Sequence, residues 1–231
     1  FEDADIIVEA VFESMDLKKK IFGEIDAIAK RDCVLATNTS TLNIDHIAQA
    51  TKRPEMVIGL HFFSPANVMR LVEIVRGTAT SPAVIATAMN LAKVVKKVGV
   101  LAGNCPGFIG NRLQHALWRE AVSLVERGIC DAETVDRVIK AAFGRRLAVL
   151  GPLENADLVG TDLTLAIHKT VLPDIEHRPG PSPYLERLVA EGKLGFKSGE
   201  GFRKWSAEEQ AALRAKVLQH LKKARENDAK R

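Results

Sequence analysis

No apolar run in these 231 residues approaches the roughly twenty that span a bilayer, and the N-terminus lacks the charged-then-apolar layout of a signal peptide. The expectation is a protein with no membrane partner. Cysteine is scarce. Cys33, Cys105 and Cys130 are odd in number and widely spaced, with neither a C-x-x-C pair nor a zinc-ligand pattern. A disulfide scaffold and a metal centre are thereby set aside, and a reducing, cytoplasmic compartment is expected. Charge of one sign is not in excess either. The net value is +4, and Lys222, Lys223, Arg225, Lys230 and Arg231 place much of it in the C-terminal tail. That pattern reads as a solvated basic tail and not as a nucleic-acid surface. The length suits one or two domains with a substantial core.

What is present is organised in two halves. The first hundred residues alternate β-rich runs with helical patterns, the signature of parallel strands joined by crossover helices. "DIIVEAV" (5–11) reads as a strand buried on both faces, and "CVLATNT", "MVIGLHF", "RLVEIV" and "VGVLAGN" supply the others. Between them, Leu17, Ile21, Ile25 and Ile28 fall on one side of a helix. Ser81 caps and Pro82 opens another, with Val84, Ala88, Leu91 and Val95 as its apolar stripe. After "NCPGF" the pattern turns helical. Helices are expected over 108–127, after Asp131, and at 153–171, 183–191 and 206–226, the last announced by a capping box of Ser206 and Glu209. The boundary falls near Asn104, giving an α/β half at 1–103 and an all-α half at 104–231. There is no internal repeat.

Two residues do not suit their surroundings. Glu73 interrupts the apolar run "RLVEIV", where a charge is costly unless something satisfies it. His61 closes a predicted parallel strand, the place where ligands meet α/β sheets. A buried imidazole is the natural partner for the carboxylate, and the pair has a use. The carboxylate fixes the tautomer and favours imidazolium, which leaves the other ring nitrogen to act as a general base on an alcohol. A satisfied core histidine and a strand-edge charge are the plainer alternatives. A metal site fits less well, because the nearest histidine, His46, belongs to a predicted surface helix. No G-x-S-x-G elbow supports a hydrolase. Ser40, in "ATNTST", and the Asn38 amide face the same strand-end region as His61, though such residues are also ordinary turn formers. Asn111 sits one turn into the helix after "CPGF", where capping would serve equally.

"VEAVFESMDLKKKIF", "ATNTSTL", "GLHFFSPANVMRLVE", "NCPGFIGNRL", "GPLENADLVGTD" and "LVAEGKLGFKSGEGF" occur in the order and spacing of the NAD-dependent 3-hydroxyacyl-CoA dehydrogenases, which the chain resembles up to Trp205. The resemblance implies a partial doubly wound, Rossmann-type parallel sheet followed by an all-α domain that forms a homodimer. It implies oxidation of a 3-hydroxyacyl-CoA, with hydride passing to NAD. His61 matches the family's general base, Glu73 its orienting carboxylate, Ser40 the serine beside the reacting oxygen and the nicotinamide, and Asn111 the asparagine completing the substrate site. Glu13, Lys18 and Lys197 match cofactor contacts. Ser64 stands where many members carry an asparagine that touches the nicotinamide side.

Other positions depart from the family pattern. Arg145 and Arg146, in "FGRRLAVLGPLE", either meet CoA phosphates or sit in solvent, and Arg203 replaces the usual aromatic after "GEGF". Phe1 lies close to the first strand, and no G-x-G-x-x-G turn occurs anywhere in the sequence. Residues 1–231 alone are therefore expected to bind NAD weakly and to lack turnover. Two alternatives stand beside this reading. One is a dehydrogenase of a non-CoA 3-hydroxy acid, of gulonate or carnitine type, and the other is a catalytically silent structural relative.

Overall fold

In the computed structural model, which describes residues 2–228, the first hundred residues form a five-stranded sheet. Phe1, Lys230 and Arg231 lie outside the described residues. Strands β1 (Ile6–Glu9), β2 (Val34–Thr37), β3 (Val57–Phe62), β4 (Leu71–Arg76) and β5 (Val98–Gly103) lie side by side in chain order. β1, β2 and β3 pair in parallel, as do β4 and β5, whereas β3 and β4 run antiparallel. The sheet is parallel-dominated as expected, and the antiparallel β3–β4 pairing departs from that pattern. Its cause is local, since residues 63–70 are too few for the crossover that a parallel partner needs.

Helices cover both faces of the sheet. α1 (Met15–Ile28) and α2 (Ile44–Ala48) place Phe22, Ile44 and Ile47 against Ile7, Leu35, Val57 and Val75. On the other face, Val84, Ala88 and Ala92 of α3 (Pro82–Val94) meet Val34, Ala36, Ile58, Leu60, Val72 and Ile74. Strand side chains alternate with period two. Glu9, Thr37, His61 and Glu73 therefore share the face of Ile7, Leu35, Val57 and Val75.

Several local expectations change. β1 is shorter than 5–11 and is not buried on both faces, because Val8 is 43% exposed while Glu9 is only 4% exposed. In α1 the fully buried positions are Lys18 and Phe22, and Ile28 faces solvent. α1 has no basic residue in its last turn, and the Arg53 guanidinium donates to the carbonyls of Asp26, Ala29 and Lys30 there. Ser81 and Pro82 open α3 as read, while Ala92 replaces Val95 in its buried stripe.

The chain divides into two compact units, one ending at Gln114 and resumed at Lys216, the other running from His115 to Ala215. The helices of the second half are α4 (Gly110–Glu126), α5 (Ala132–Ala141), α6 (Pro152–Val159), α7 (Thr161–Val171), α8 (Pro183–Ala190) and α9 (Ala207–Asp228). Asp131 caps α5, and Ser206 and Glu209 exchange both bonds of the capping box. The single helix expected over 153–171 is two, broken at Gly160, whose φ of 100° suits glycine. Arg225 is not merely solvated, since it donates to the Asn67 carbonyl in the β3–β4 loop (3.0 Å). Arg203 stacks its guanidinium 3.7 Å from the Trp205 ring centroid, so a cation–π contact is made at the position where the resemblance implies an aromatic.

Candidate active site

Antiparallel pairing places His61 of β3 directly opposite Glu73 of β4. Residues facing each other in this way carry neighbouring side chains on one side of the sheet. His61 Nδ1 lies 2.8 Å from Glu73 Oε2, and both side chains are buried. No buried polar side-chain atom among the described residues lacks a hydrogen-bond partner. His61 Nε2 has no protein partner there, so it is the ring atom that meets solvent. Phe63 and Phe108 pack on the imidazole, with ring centroids 4.8 and 5.6 Å away.

The second carboxylate oxygen is also occupied. Beyond β5 the chain turns through Gly107 and Phe108, both at positive φ, and enters α4. The amides of Ile109 and Gly110 then point at Glu73 Oε1, at 2.9 and 2.8 Å. These are donors without an intrahelical partner at a helix N-terminus, where a negative charge is favoured. Glu73 is thus immobilised by three bonds, and it can hold the ring hydrogen on Nδ1 while Nε2 acts as a base.

A second cluster lies at the end of β2. Asn38 Oδ1 accepts from Phe62 N (2.8 Å), extending the β2–β3 pairing past Thr37. Glu13 Oε1 accepts from Thr39 Oγ1, Ser40 N, Thr41 N and Thr41 Oγ1, at 2.6, 3.0, 3.0 and 2.9 Å. Burial by itself would raise the Glu13 pKa, but these donors together bring it below the ordinary carboxylate value. Asn111, in the first turn of α4, donates to the Ser40 carbonyl (3.4 Å). Consecutive residues 109–111 therefore touch both clusters. Ser40 Oγ has no protein partner among the described residues.

The remaining predicted residues are placed less directly. Lys18 is 1% exposed, 2.7 Å from Glu9 Oε1 and 3.7 Å from Glu13 Oε2. Glu9 also accepts from Val11 N (2.6 Å) and Thr37 Oγ1 (2.7 Å). Lys18 thus belongs to a sealed ion pair behind the Ser40 loop. Ser64 is exposed in the β3–β4 loop, and Lys197 is exposed in the unit running from His115 to Ala215. Glu9 was missed by the sequence reading, although a carboxylate in the apolar run "DIIVEAV" is the same anomaly as Glu73. The Ile109 and Gly110 amides leave no trace in residue identity. Among the described residues no group of His, Cys, Asp and Glu could hold a metal ion.

Residues 1–105 match the family model for the NAD binding domain of 3-hydroxyacyl-CoA dehydrogenase, and residues 107–205 match the model for its C-terminal domain. The chain belongs to the 3-hydroxyacyl-CoA dehydrogenase family. It is 38% identical to a 3-hydroxybutyryl-CoA dehydrogenase of Clostridioides difficile, covering 87% of this chain and 71% of that one. It is 42% identical to the human peroxisomal bifunctional enzyme over 86% of this chain, and it spans only 28% of that protein's length. Among solved structures, an NAD+ dependent dismutase, 5-formyl-3-hydroxy-2-methylpyridine 4-carboxylic acid 5-dehydrogenase, is 31% identical with a TM-score of 0.93, covering 97% of this chain and 73% of the other. The (S)-3-hydroxybutyryl-CoA dehydrogenase PaaH1 of Ralstonia eutropha is 37% identical with a TM-score of 0.70, covering 87% and 71%.

Proposed function

We propose that this chain carries the acid–base centre of an NAD-dependent oxidation of (S)-3-hydroxyacyl-CoA to 3-oxoacyl-CoA, as in fatty-acid β-oxidation or short-chain acyl-CoA metabolism. The observation that carries the reading is the His61–Glu73 contact, with Glu73 saturated by backbone amides and His61 Nε2 left to solvent. Nε2 takes the proton from the substrate hydroxyl, Glu73 offsets the charge that appears on the ring, and Ser40 and Asn111 hold the reacting oxygen. When bound, the nicotinamide supplies the acceptor for the hydride leaving C3.

The residues present fit the nicotinamide end of that cofactor. Ser40 Oγ is free of protein bonds, and Glu13 Oε2, 3.7 Å from the Lys18 ammonium, remains available to a hydroxyl. No glycine-rich turn among the 231 residues fits a pyrophosphate. Ser64 and Lys197 are proposed as further cofactor contacts, and residues 1–103 and 104–231 as the cofactor half and the substrate and dimerisation half. A second copy of the chain is the proposed partner of the helices. Between His115 and Ala215 only Ser123 and Leu188 are buried among the described residues, while Val149, Leu153 and Leu158 are 74%, 80% and 73% exposed. No described helix is long and apolar enough to cross a membrane. With three unpaired cysteines, a reducing compartment such as the cytoplasm is the proposed setting.

A second reading has one observation in its favour: the structure with a TM-score of 0.93 is named for a pyridine carboxylate and not for a CoA ester. A silent structural role would need neither the dyad nor its amides. The deciding experiment assays the complete protein with NAD, offering 3-hydroxyacyl-CoA esters of several chain lengths and the corresponding free hydroxy acids. Turnover confined to free acids rejects the leading proposal, and absence of turnover with both rejects the enzyme.

A further inference from the structure

We propose that Glu13 is a positioning residue for Ser40, fixing the loop that presents its hydroxyl in addition to any contact with a cofactor; the inference rests on Ser40 having the role proposed above. One carboxylate oxygen of Glu13 gathers donors from three consecutive residues, Thr39, Ser40 and Thr41. Within the same loop, Thr39 Oγ1 accepts from Leu42 N (2.9 Å) and Thr41 N (3.4 Å), and Asn38 Oδ1 accepts from Phe62 N. The polar side chains of Asn38, Thr39 and Thr41 are therefore consumed in holding the loop. Ser40 Oγ alone is left to act outward.

The anchor is itself anchored. Lys18, sealed from solvent, bridges Glu13 Oε2 and Glu9 Oε1, and Glu9 Oε2 accepts from Thr37 Oγ1 at the end of β2. The charges run negative, positive, negative from the strand face to the loop. The Lys18 contact on Oε2 leaves Oε1 aimed at the Ser40 and Thr41 amides. A carboxylate required only for ligand contact would not need four donors from the protein on one oxygen. A helix-entry staple would not need them to come from the residues flanking Ser40.

Glu13→Gln preserves shape, removes the charge and, being partly exposed, leaves the core intact. In the complete protein without ligand, amide exchange at Ser40 and Thr41 should accelerate about 10-fold or more as their acceptor weakens. In the dehydrogenase assay Glu13→Gln should lower kcat/KM by about 10- to 100-fold, the order expected when a reacting group is misplaced by about an ångström. Added to Ser40→Ala, it should lower the rate by no more than about twofold further, because the group being positioned is already gone. Thr41→Val removes one donor from the opposite side and should give a smaller loss of the same kind. Unchanged exchange protection overturns the inference, and so do losses in the double variant that multiply while KM for NAD rises. A complete protein with no dehydrogenase activity defeats the proposed reaction and the catalytic part of this inference, and amide exchange then decides the loop-holding role by itself.

Discussion

Replacing Glu73 by glutamine keeps the volume of the side chain and exchanges one acceptor oxygen for an NH2 group. The native oxygens have fixed duties. Oε1 accepts from Ile109 N and Gly110 N at 2.9 and 2.8 Å, and Oε2 faces His61 Nδ1 at 2.8 Å. If the amide oxygen faces the two backbone donors, the NH2 faces Nδ1. The ring must then carry its hydrogen on Nε2, the atom that has to receive the substrate proton. The flipped orientation sets NH2 against two N–H groups and leaves both buried and unpaired, at about 1–3 kcal/mol each. The first orientation therefore wins, and the protein folds with the wrong tautomer. Loss of general-base catalysis lowers kcat by roughly 10²–10⁴-fold, about 2.7–5.4 kcal/mol in the barrier. KM for the acyl-CoA should change far less, because Glu73 interacts most strongly when the ring is charged. The assay is steady-state formation of reduced nicotinamide by the complete protein across pH. A variant kcat equal to that of wild type, with the same pH profile, would refute the reasoning.

Lys18→Met would strand the buried Glu9 carboxylate, and should cost about 3–5 kcal/mol of stability in denaturant unfolding, the penalty for breaking a sealed pair; a loss under about 1 kcal/mol would place it with surface pairs. Gly110→Ala would gain about 1 kcal/mol of helix propensity in open space. Here the new methyl meets the Phe63 ring that packs on His61, so a lower melting temperature together with reduced kcat is expected, and a stabilised, fully active variant would show that the ring yields freely. Glu13 has a folded pKa below its unfolded value of about 4.3. Its contribution to stability is therefore fully present above that pH and lost as pH falls through the folded value. Exchange protection of the Ser40 and Thr41 amides, measured down an acid titration, should fall in that window in wild type and show no such step in Glu13→Gln.

Much of the fold is legible without coordinates, because it follows from interactions between near neighbours in the chain. Ser81, Asp131 and the Ser206–Glu209 box cap helices as read, since a side-chain oxygen a few residues before the first free amides satisfies them wherever the helix lies. The alternation of short apolar runs with helical stripes gives the sheet and its crossovers. The His61–Glu73 pair is legible for a different reason. A charge inside an apolar strand has to be compensated, and the histidine at the end of the preceding strand is within reach.

Only the tertiary structure decided the register of β4 on β3, which turns two residues twelve apart in sequence into direct cross-strand neighbours. It alone brings the Ile109 and Gly110 amides to Glu73, and it gathers Thr39, Ser40 and Thr41 onto Glu13. Backbone donors are the same for every residue type but proline, so no residue identity announces them. Lys18 shows the same limit from the other side: its position matches a cofactor contact, yet its ammonium is sealed against Glu9. The sequence fixes which charges must be paired, and the register of distant strands and loops fixes with what.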